Sequence, residues 1–138
     1  MKILVIDGQG GGLGKAIMEK LRLALPDETI IAVGTNSAAT SSMLKGGATA
    51  GATGENALIH NCADADIIVG PFGIVIANAM LGEISPAMAV AVSASPAEKV
   101  LIPASRCRVH IAGVENNMLS KYVDEAVEIA ARLVSAAK

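Results

Sequence analysis

The chain has 138 residues, of which 52% are apolar and 17% are charged, and its formal net charge is −2. The composition excludes nucleic-acid binding, because no long basic run is present and the aromatic residues are Phe72 and Tyr122 alone. This length predicts a single domain over residues 1–138 with a core of aliphatic side chains.

Three features of the sequence indicate a cytoplasmic protein. The segment Met1 to Asp7 lacks the long apolar stretch and the cleavage site of a signal peptide. Cys62 and Cys107 lie far apart, which favours reduced thiols over a disulfide scaffold. The uncharged run 67–82 is interrupted by glycine and proline and is shorter than the roughly 18 residues of a membrane span. We therefore expect no membrane segment.

Short apolar runs alternate with amphipathic stretches along the chain. The predicted strands cover residues 2–7, 29–34, 66–70, 100–103 and 109–114. The predicted helices cover residues 12–25, 38–45 after a Ser37 cap, 54–63 after a Thr53 cap, 73–81, 86–95 after Ser85, and 118–137. Residues 46–54 contain Gly, Ala and Thr alone and read as a low-complexity connection. The alternation predicts an α/β fold, a single Rossmann-like domain with a mainly parallel sheet of about five strands and helices on both faces.

A glycine-rich loop follows the first predicted strand directly. It consists of Gly8, Gln9, Gly10, Gly11, Gly12, Leu13 and Gly14, and Lys15 comes next. Glycines let a phosphate approach the backbone N–H groups, and the start of a helix attracts its negative charge. The loop therefore predicts a site for a small phosphate-bearing ligand, such as NAD(P) or another nucleotide. The alternative is a tight turn that needs glycine for its geometry alone.

The spacing of Gly8, Gly12 and Gly14 resembles the phosphate loop of short-chain dehydrogenases, whereas the P-loop pattern fails. The rest of the dehydrogenase machinery is missing, since the one tyrosine has alanine rather than lysine four positions on. The second predicted strand ends in Thr35 and Asn36, without an acid for a ribose or an arginine for a 2′-phosphate. Redox chemistry of the short-chain type is therefore disfavoured.

Four segments resemble a family of short bacterial proteins of uncharacterised function. They are Ile6–Gly12, Gly34–Asn36, Gly51–Asn56 and Gly70–Gly73. The resemblance implies a Rossmann-like fold and no activity. Each segment follows a predicted strand or begins a helix, where parallel sheets form their binding crevice.

The same segments supply candidate ligand-binding residues around the loop: Thr35, Asn36, Thr53, Glu55, Asn56, Gly70 and Pro71. For Thr53 and Glu55, the alternative is that they cap a helix. The pairs His60/Cys62 and Cys107/His110 fit no standard zinc spacing. We therefore predict no metal site, and nothing indicates a reactive thiol.

Two predicted apolar helices, Gly73–Leu81 and Pro86–Ser95, indicate surface buried between subunits, so we expect a homo-oligomer with a dimer as the default. The leading hypothesis is a nucleotide- or dinucleotide-binding module that uses the Gly8–Lys15 loop. One alternative is a small, reductase-like, nucleotide-dependent enzyme in which Glu55 or Asp7 acts as acid, base or metal ligand. The other is a structural or partner-binding homo-oligomer with an empty loop. The sequence assigns no catalytic residues.

Overall fold

A computed structural model of the chain describes residues 1–103, 108–115 and 117–138. The strands are β1 (Lys2–Asp7), β2 (Thr29–Gly34), β3 (Ala50–Thr53), β4 (Ile67–Pro71) and β5 (Glu98–Ile102). The helices are α1 (Gly12–Ala24), α2 (Ser37–Lys45), α3 (Glu55–Cys62), α4 (Pro86–Ala94) and α5 (Leu119–Ala137), and a 3-10 helix (Phe72–Val75) follows β4.

The five strands form one sheet in the order β3-β2-β1-β4-β5, and every neighbouring pair is parallel. The central strand β1 pairs Val5 with Ala32 of β2 on one side and with Val69 of β4 on the other. A strand flanked on both sides and covered on both faces is apolar without interruption, as residues 3–6 are. The predicted fold class is confirmed.

Helices cover both faces of the sheet and divide the core into two clusters. One cluster holds α1 and α5 against the sheet, with Ile17 and Val5 fully buried in it. The other holds α3 and α4, with Leu58 and Leu4 fully buried. Leu4 and Val5 enter different clusters because successive side chains of a strand point to opposite faces.

The fifth strand of the sheet lies elsewhere in the chain than the sequence predicts. The edge strand is β3, inside the Gly/Ala/Thr segment that was predicted as a low-complexity connection. A Cβ added at Gly51 would lie 2.9 Å from Cγ2 of Thr40 and 3.1 Å from Cγ of Leu44 in α2. The helix packs so closely on this strand that small residues are required there, and small residues hide the usual strand signal.

The predicted strand over residues 109–114 is wrong. In the described range 108–115 these residues form no strand and lie in the connection between β5 and α5. The side chains of Val109 and Ile111 are 37% and 40% exposed, so the apolar alternation does not mark a buried face. Gly113, with φ of 86°, turns the chain near the end of this segment.

The predicted buried helix over residues 73–81 is also wrong. The 3-10 helix is followed by tight turns, and we call residues 76–83 the strap. Asn78, Met80 and Leu81 have φ of 65°, 58° and 56°, a left-handed region that an α-helix does not use. In a short run that is apolar at every position, periodicity alone cannot distinguish a buried helix from a buried segment of another conformation.

The helix caps differ in part from those predicted. Asn36, and not Ser37, caps α2 by accepting the N–H of Ala39 at 2.9 Å. Thr53 does not cap α3, because the capping position is Gly54, with φ of 100° and no side-chain cap bond. The predicted cap of α4 by Ser85 is confirmed by the bond from the N–H of Met88 at 3.2 Å.

Candidate functional site

A cleft of about 510 Å³ opens at the carboxyl ends of the central strands. The chain leaves β1 toward α1 on one face and leaves β4 toward the 3-10 helix on the other, so a crevice forms where the strand order reverses. The residues that line it come from the β1–α1 loop, the end of β4, the strap and the start of α5: Asp7, Gly8, Gln9, Gly10, Gly11, Gly12, Leu13, Pro71, Gly73, Met80, Leu81 and Leu119.

The glycine-rich loop turns sharply and leaves open space above part of its backbone. Gly11 has φ of 72°, and its N–H donates to the C=O of Gly8 at 3.0 Å. A Cβ added at Gly10 or Gly12 would meet no atom within 4 Å. Within residues 1–103, 108–115 and 117–138, no acceptor binds the N–H groups of Gly10, Gly12 or Leu13. These donors are therefore available to an anion that enters the cleft.

The buried carboxylate of Asp7 holds the two ends of the loop together. Its oxygens accept the N–H of Gly8 at 2.8 Å and the N–H of Gly14 at 2.6 Å. Burial raises the pKa of Asp7, the two N–H bonds act in the opposite direction, and the negative charge of Glu83 raises it further. One N–H of the α1 N-terminus is thus already occupied by an internal carboxylate.

A second carboxylate, Glu83 of the strap, lies beside the loop. Its Oε1 accepts the N–H of Gln9 at 2.9 Å, the hydroxyl of Thr35 at 2.5 Å and the side-chain amide of Asn36 at 2.9 Å. The Thr35 hydroxyl above all, followed by the Gln9 N–H, holds the pKa of Glu83 below its usual value. Thr35 and Asn36 both contact this carboxylate, and their direct binding of a ligand stays a prediction.

Of the other predicted site residues, some line the cleft and others do not. Pro71 lines the cleft, whereas Gly70 is buried and does not line it, and a Cβ there would lie 2.5 Å from the carbonyl oxygen of Ile6. Lys15 is exposed in the first turn of α1 and does not line the cleft.

The polar residues at the start of α3 also lie outside the cleft lining. The hydroxyl of Thr53 lies 2.7 Å from that of buried Thr40, in the packing of α2 on β3. Glu55 accepts the hydroxyl of Ser85 at 2.6 Å, and Asn56 is exposed. A ligand role for these three residues stays a prediction.

Nearly the whole chain matches one protein family. Residues 2–135 match the family described as "Domain of unknown function (DUF3842)". The chain belongs to this family. This membership agrees with the resemblance to a family of uncharacterised proteins that the sequence shows. The family description assigns no activity.

One solved structure similar to this member of the DUF3842 family is the dodecameric FMN-dependent UbiX-like decarboxylase from Escherichia coli O157:H7. The two are 16% identical, over 99% of this chain and 93% of that one, with a TM-score of 0.47. No curated protein matches the chain.

Sequence reasoning missed three residues of the strap: Met80 and Leu81, which line the cleft, and Glu83. The predicted helix over residues 73–81 concealed Met80 and Leu81, and Glu83 lies just beyond its end. One signal was present, because Glu83 is the sole charged residue between Ile67 and Ala97. An isolated carboxylate in so apolar a stretch needs hydrogen-bond donors, and the ends of β1 and β2 supply them.

Neither a metal centre nor a reactive thiol emerges from the described residues. They contain no group of three or more His, Cys, Asp or Glu side chains that could hold a metal ion. Burial raises the pKa of Cys62 to about 11, which disfavours a nucleophilic thiolate. Cys107 lies outside the described residues. Of the helices in the described ranges, none is long and apolar enough to cross a bilayer.

Proposed function

We propose that this domain binds a phosphate-bearing nucleotide in the cleft, with the phosphate on the N–H groups of Gly10, Gly12 and Leu13. The single observation that carries the proposal is the coincidence of these open donors with the cleft at the point where the strand order reverses. In open α/β sheets this crevice is where ligands bind, and the start of a helix favours an anion there.

The remaining surface of the cleft suits the apolar part of such a ligand. Met80 and Leu81 from the strap and Leu119 from α5 line it, and the last two are 99% and 47% exposed. Pockets for small molecules are mostly apolar with a few fixed polar groups, and their volumes are roughly 300–1,000 Å³. The phosphate donors at one side and these aliphatic side chains at the other match that description.

The carboxylates near the loop limit the affinity for an anion. Asp7 directs both oxygens at backbone N–H groups, so part of its charge is compensated by Gly8 and Gly14. Lys15 stands in the first turn of the same helix and adds a positive charge at the surface. The N–H groups of the loop must therefore hold the phosphate against the remaining repulsion from these carboxylates.

A second candidate function is an enzyme in which Asp7 transfers a proton. A buried carboxyl group with a raised pKa that lines a cleft is what proton-transfer sites use. Both oxygens of Asp7 accept N–H bonds, however, so its contacts support a structural role for the carboxylate. Binding is therefore the primary proposal, and turnover of a bound nucleotide would establish the alternative.

The proposal is tested by thermal unfolding of the full chain against NAD, NADP, ATP, ADP, FAD, FMN and coenzyme A. A ligand at a hundred times its dissociation constant adds about 2.7 kcal/mol to the free energy of unfolding. Gly12→Val is expected to remove the shift without harming the fold, because a Cβ at Gly12 meets nothing within 4 Å. Ala136→Val, on the exposed end of α5, is the matched control and should keep the shift. Absence of a shift with every nucleotide would contradict the proposal.

A further inference from the structure

The carboxylate of Glu83 lies where a Rossmann-type nucleotide site needs an acid. Such sites place an acidic residue at the carboxyl end of the second strand, where it accepts the hydroxyls of a ribose. In this chain β2 ends at Gly34 and is followed by Thr35 and Asn36, which carry no charge. The strap brings a carboxylate to the same two residues from nearly fifty positions further along the chain.

The geometry fixes one oxygen of Glu83 and leaves the other available. Oε1 holds all three bonds from Gln9, Thr35 and Asn36. In the described part of the chain, no donor binds Oε2. The residue is partly exposed, so Oε2 can accept a hydroxyl from a ligand while Oε1 keeps the side chain in place.

The carboxylate is also close to the proposed phosphate site. Gln9, whose N–H binds Glu83, is next in the chain to Gly10, whose N–H is open. Oε1 would lie 3.1 Å from a Cβ added at Gly8, which lines the cleft. Glu83 lies just outside the residues that line the cleft, so a sugar joined to a phosphate held by the loop reaches its carboxylate by extending past Gly8 toward the β2 side.

We propose that Glu83 accepts the hydroxyls of a ribose, so that the site selects ribonucleotides with a free 2′-hydroxyl. This inference rests on the nucleotide binding proposed above. A carboxylate accepts hydroxyl hydrogen bonds, and hydrogen bonds to charged groups are stronger than those between neutral groups. It repels a 2′-phosphate, and the described residues around it contribute neutral donors rather than a cation. The site is therefore expected to reject both 2′-deoxy and 2′-phosphorylated ligands.

Calorimetric titration of the full chain with ATP against 2′-deoxy-ATP, and with NAD against NADP, tests the inference. Wild-type protein should bind the member with the free 2′-hydroxyl roughly tenfold to a hundredfold more tightly. Glu83→Gln should reduce the preference to within about threefold, since an amide lacks the charge that strengthens the bond. Glu98→Gln, an exposed acid at the opposite edge of the sheet, is the matched control and should keep the full preference.

The outcomes separate this inference from the proposed function. Equal affinity of the wild-type protein for both members of each pair would overturn the role of Glu83 and leave nucleotide binding standing. A preference that survives Glu83→Gln would overturn it as well, provided that unfolding without ligand shows an intact fold. No binding of any of the four nucleotides would overturn the role of Glu83, and nucleotide binding itself would then stand or fall on the seven-ligand unfolding panel.

Discussion

The carboxylate of Asp7 accepts the backbone N–H of Gly14 at 2.6 Å, which joins the last residue of β1 to the first turn of α1. The bond spans the loop, whose residues Gly10, Gly12 and Leu13 line the cleft. A loop closed in this way keeps its conformation before any ligand arrives. Ligand binding then costs little ordering of the backbone.

The contact between Asp7 and Gly14 leaves no room for a side chain on the helix. A Cβ at Gly14 would lie 2.7 Å from Cβ of Asp7 and 2.7 Å from Sδ of Met43. We expect Gly14→Ala to lower the free energy of unfolding by about 1–3 kcal/mol through overpacking. Gly12→Ala, two positions earlier in open space, is the control and should leave stability unchanged or raise it by up to about 1 kcal/mol. Urea unfolding of both variants measures the difference, and equal losses would contradict the packing argument.

The position of Asp7 predicts an abnormal titration. Its pKa lies above the ordinary value of 3.8, because burial disfavours the charged form. The folded protein therefore holds this proton more tightly than the unfolded chain does. The contribution of Asp7 to the free energy of unfolding rises as the pH falls through its folded-state pKa toward 3.8.

The carboxyl-carbon chemical shift of Asp7, followed by NMR against pH, measures its titration directly. The midpoint is expected above 3.8. The same resonance of Asp7 in the urea-unfolded chain serves as the reference. A midpoint of Asp7 at or below 3.8 would mean that the two N–H bonds outweigh burial. A nucleotide held by the same loop should bind more tightly as Asp7 becomes neutral.

The sequence alone predicts the α/β layers of the fold and the position of the glycine-rich loop, because both depend on local patterns. Residues 2–7 and the α5 segment carry clear periodicity, and the position of the glycines between a strand and a helix marks the loop. The edge strand β3 and the strap were missed for a common physical reason. Gly51 is small because α2 lies on it, and Leu81 is apolar without being in a helix. Both facts belong to tertiary packing, which a local pattern does not contain.

Leu81 combines a strained backbone with an exposed apolar side chain. It has φ of 56° and is 99% exposed. Left-handed backbone costs most residues about 1–2 kcal/mol and costs asparagine less. For the dissociated single chain, in which Leu81 is uncovered, we expect Leu81→Asn to raise the free energy of unfolding by about 0.5–1 kcal/mol. Leu23→Asn, at an 84% exposed position inside α1, is the control and should lower stability slightly because asparagine disfavours helix. A loss of stability in Leu81→Asn would show that the side chain has a packing partner.

The same substitution tests the predicted homo-oligomer. Leu81, Met118 and Leu119 are exposed apolar residues, two of which line the cleft, and Val90 of α4 is 63% exposed. If these side chains are covered by another copy of the chain, Leu81→Asn should lower the weight-average mass in sedimentation equilibrium. A mass equal to one chain for the wild-type protein at micromolar concentration would contradict the homo-oligomer.

Glu83 predicts a pH dependence of the opposite sign to that of Asp7. The hydroxyl of Thr35, the N–H of Gln9 and the amide of Asn36 hold its pKa below 4.5. The unfolded chain therefore holds this proton more tightly. The stability that Glu83 contributes is present above pH 4.5 and is lost as the pH falls through the folded-state pKa.

Thr35→Val removes the strongest of these bonds and should raise the pKa of Glu83 toward 4.5. At pH 7 the variant is expected to lose about 1.5 kcal/mol of unfolding free energy, the low end for a hydrogen bond to a charged group, because Glu83 is partly exposed. Thr35→Ser keeps the hydroxyl and is the matched control. Urea unfolding at a series of pH values from 7 to 3 should show the valine variant approaching wild type at the acid end, because protonated Glu83 no longer needs the bond as a charge partner. A deficit that stays constant over the whole range would indicate lost packing at Thr35 and would remove Glu83 from the explanation.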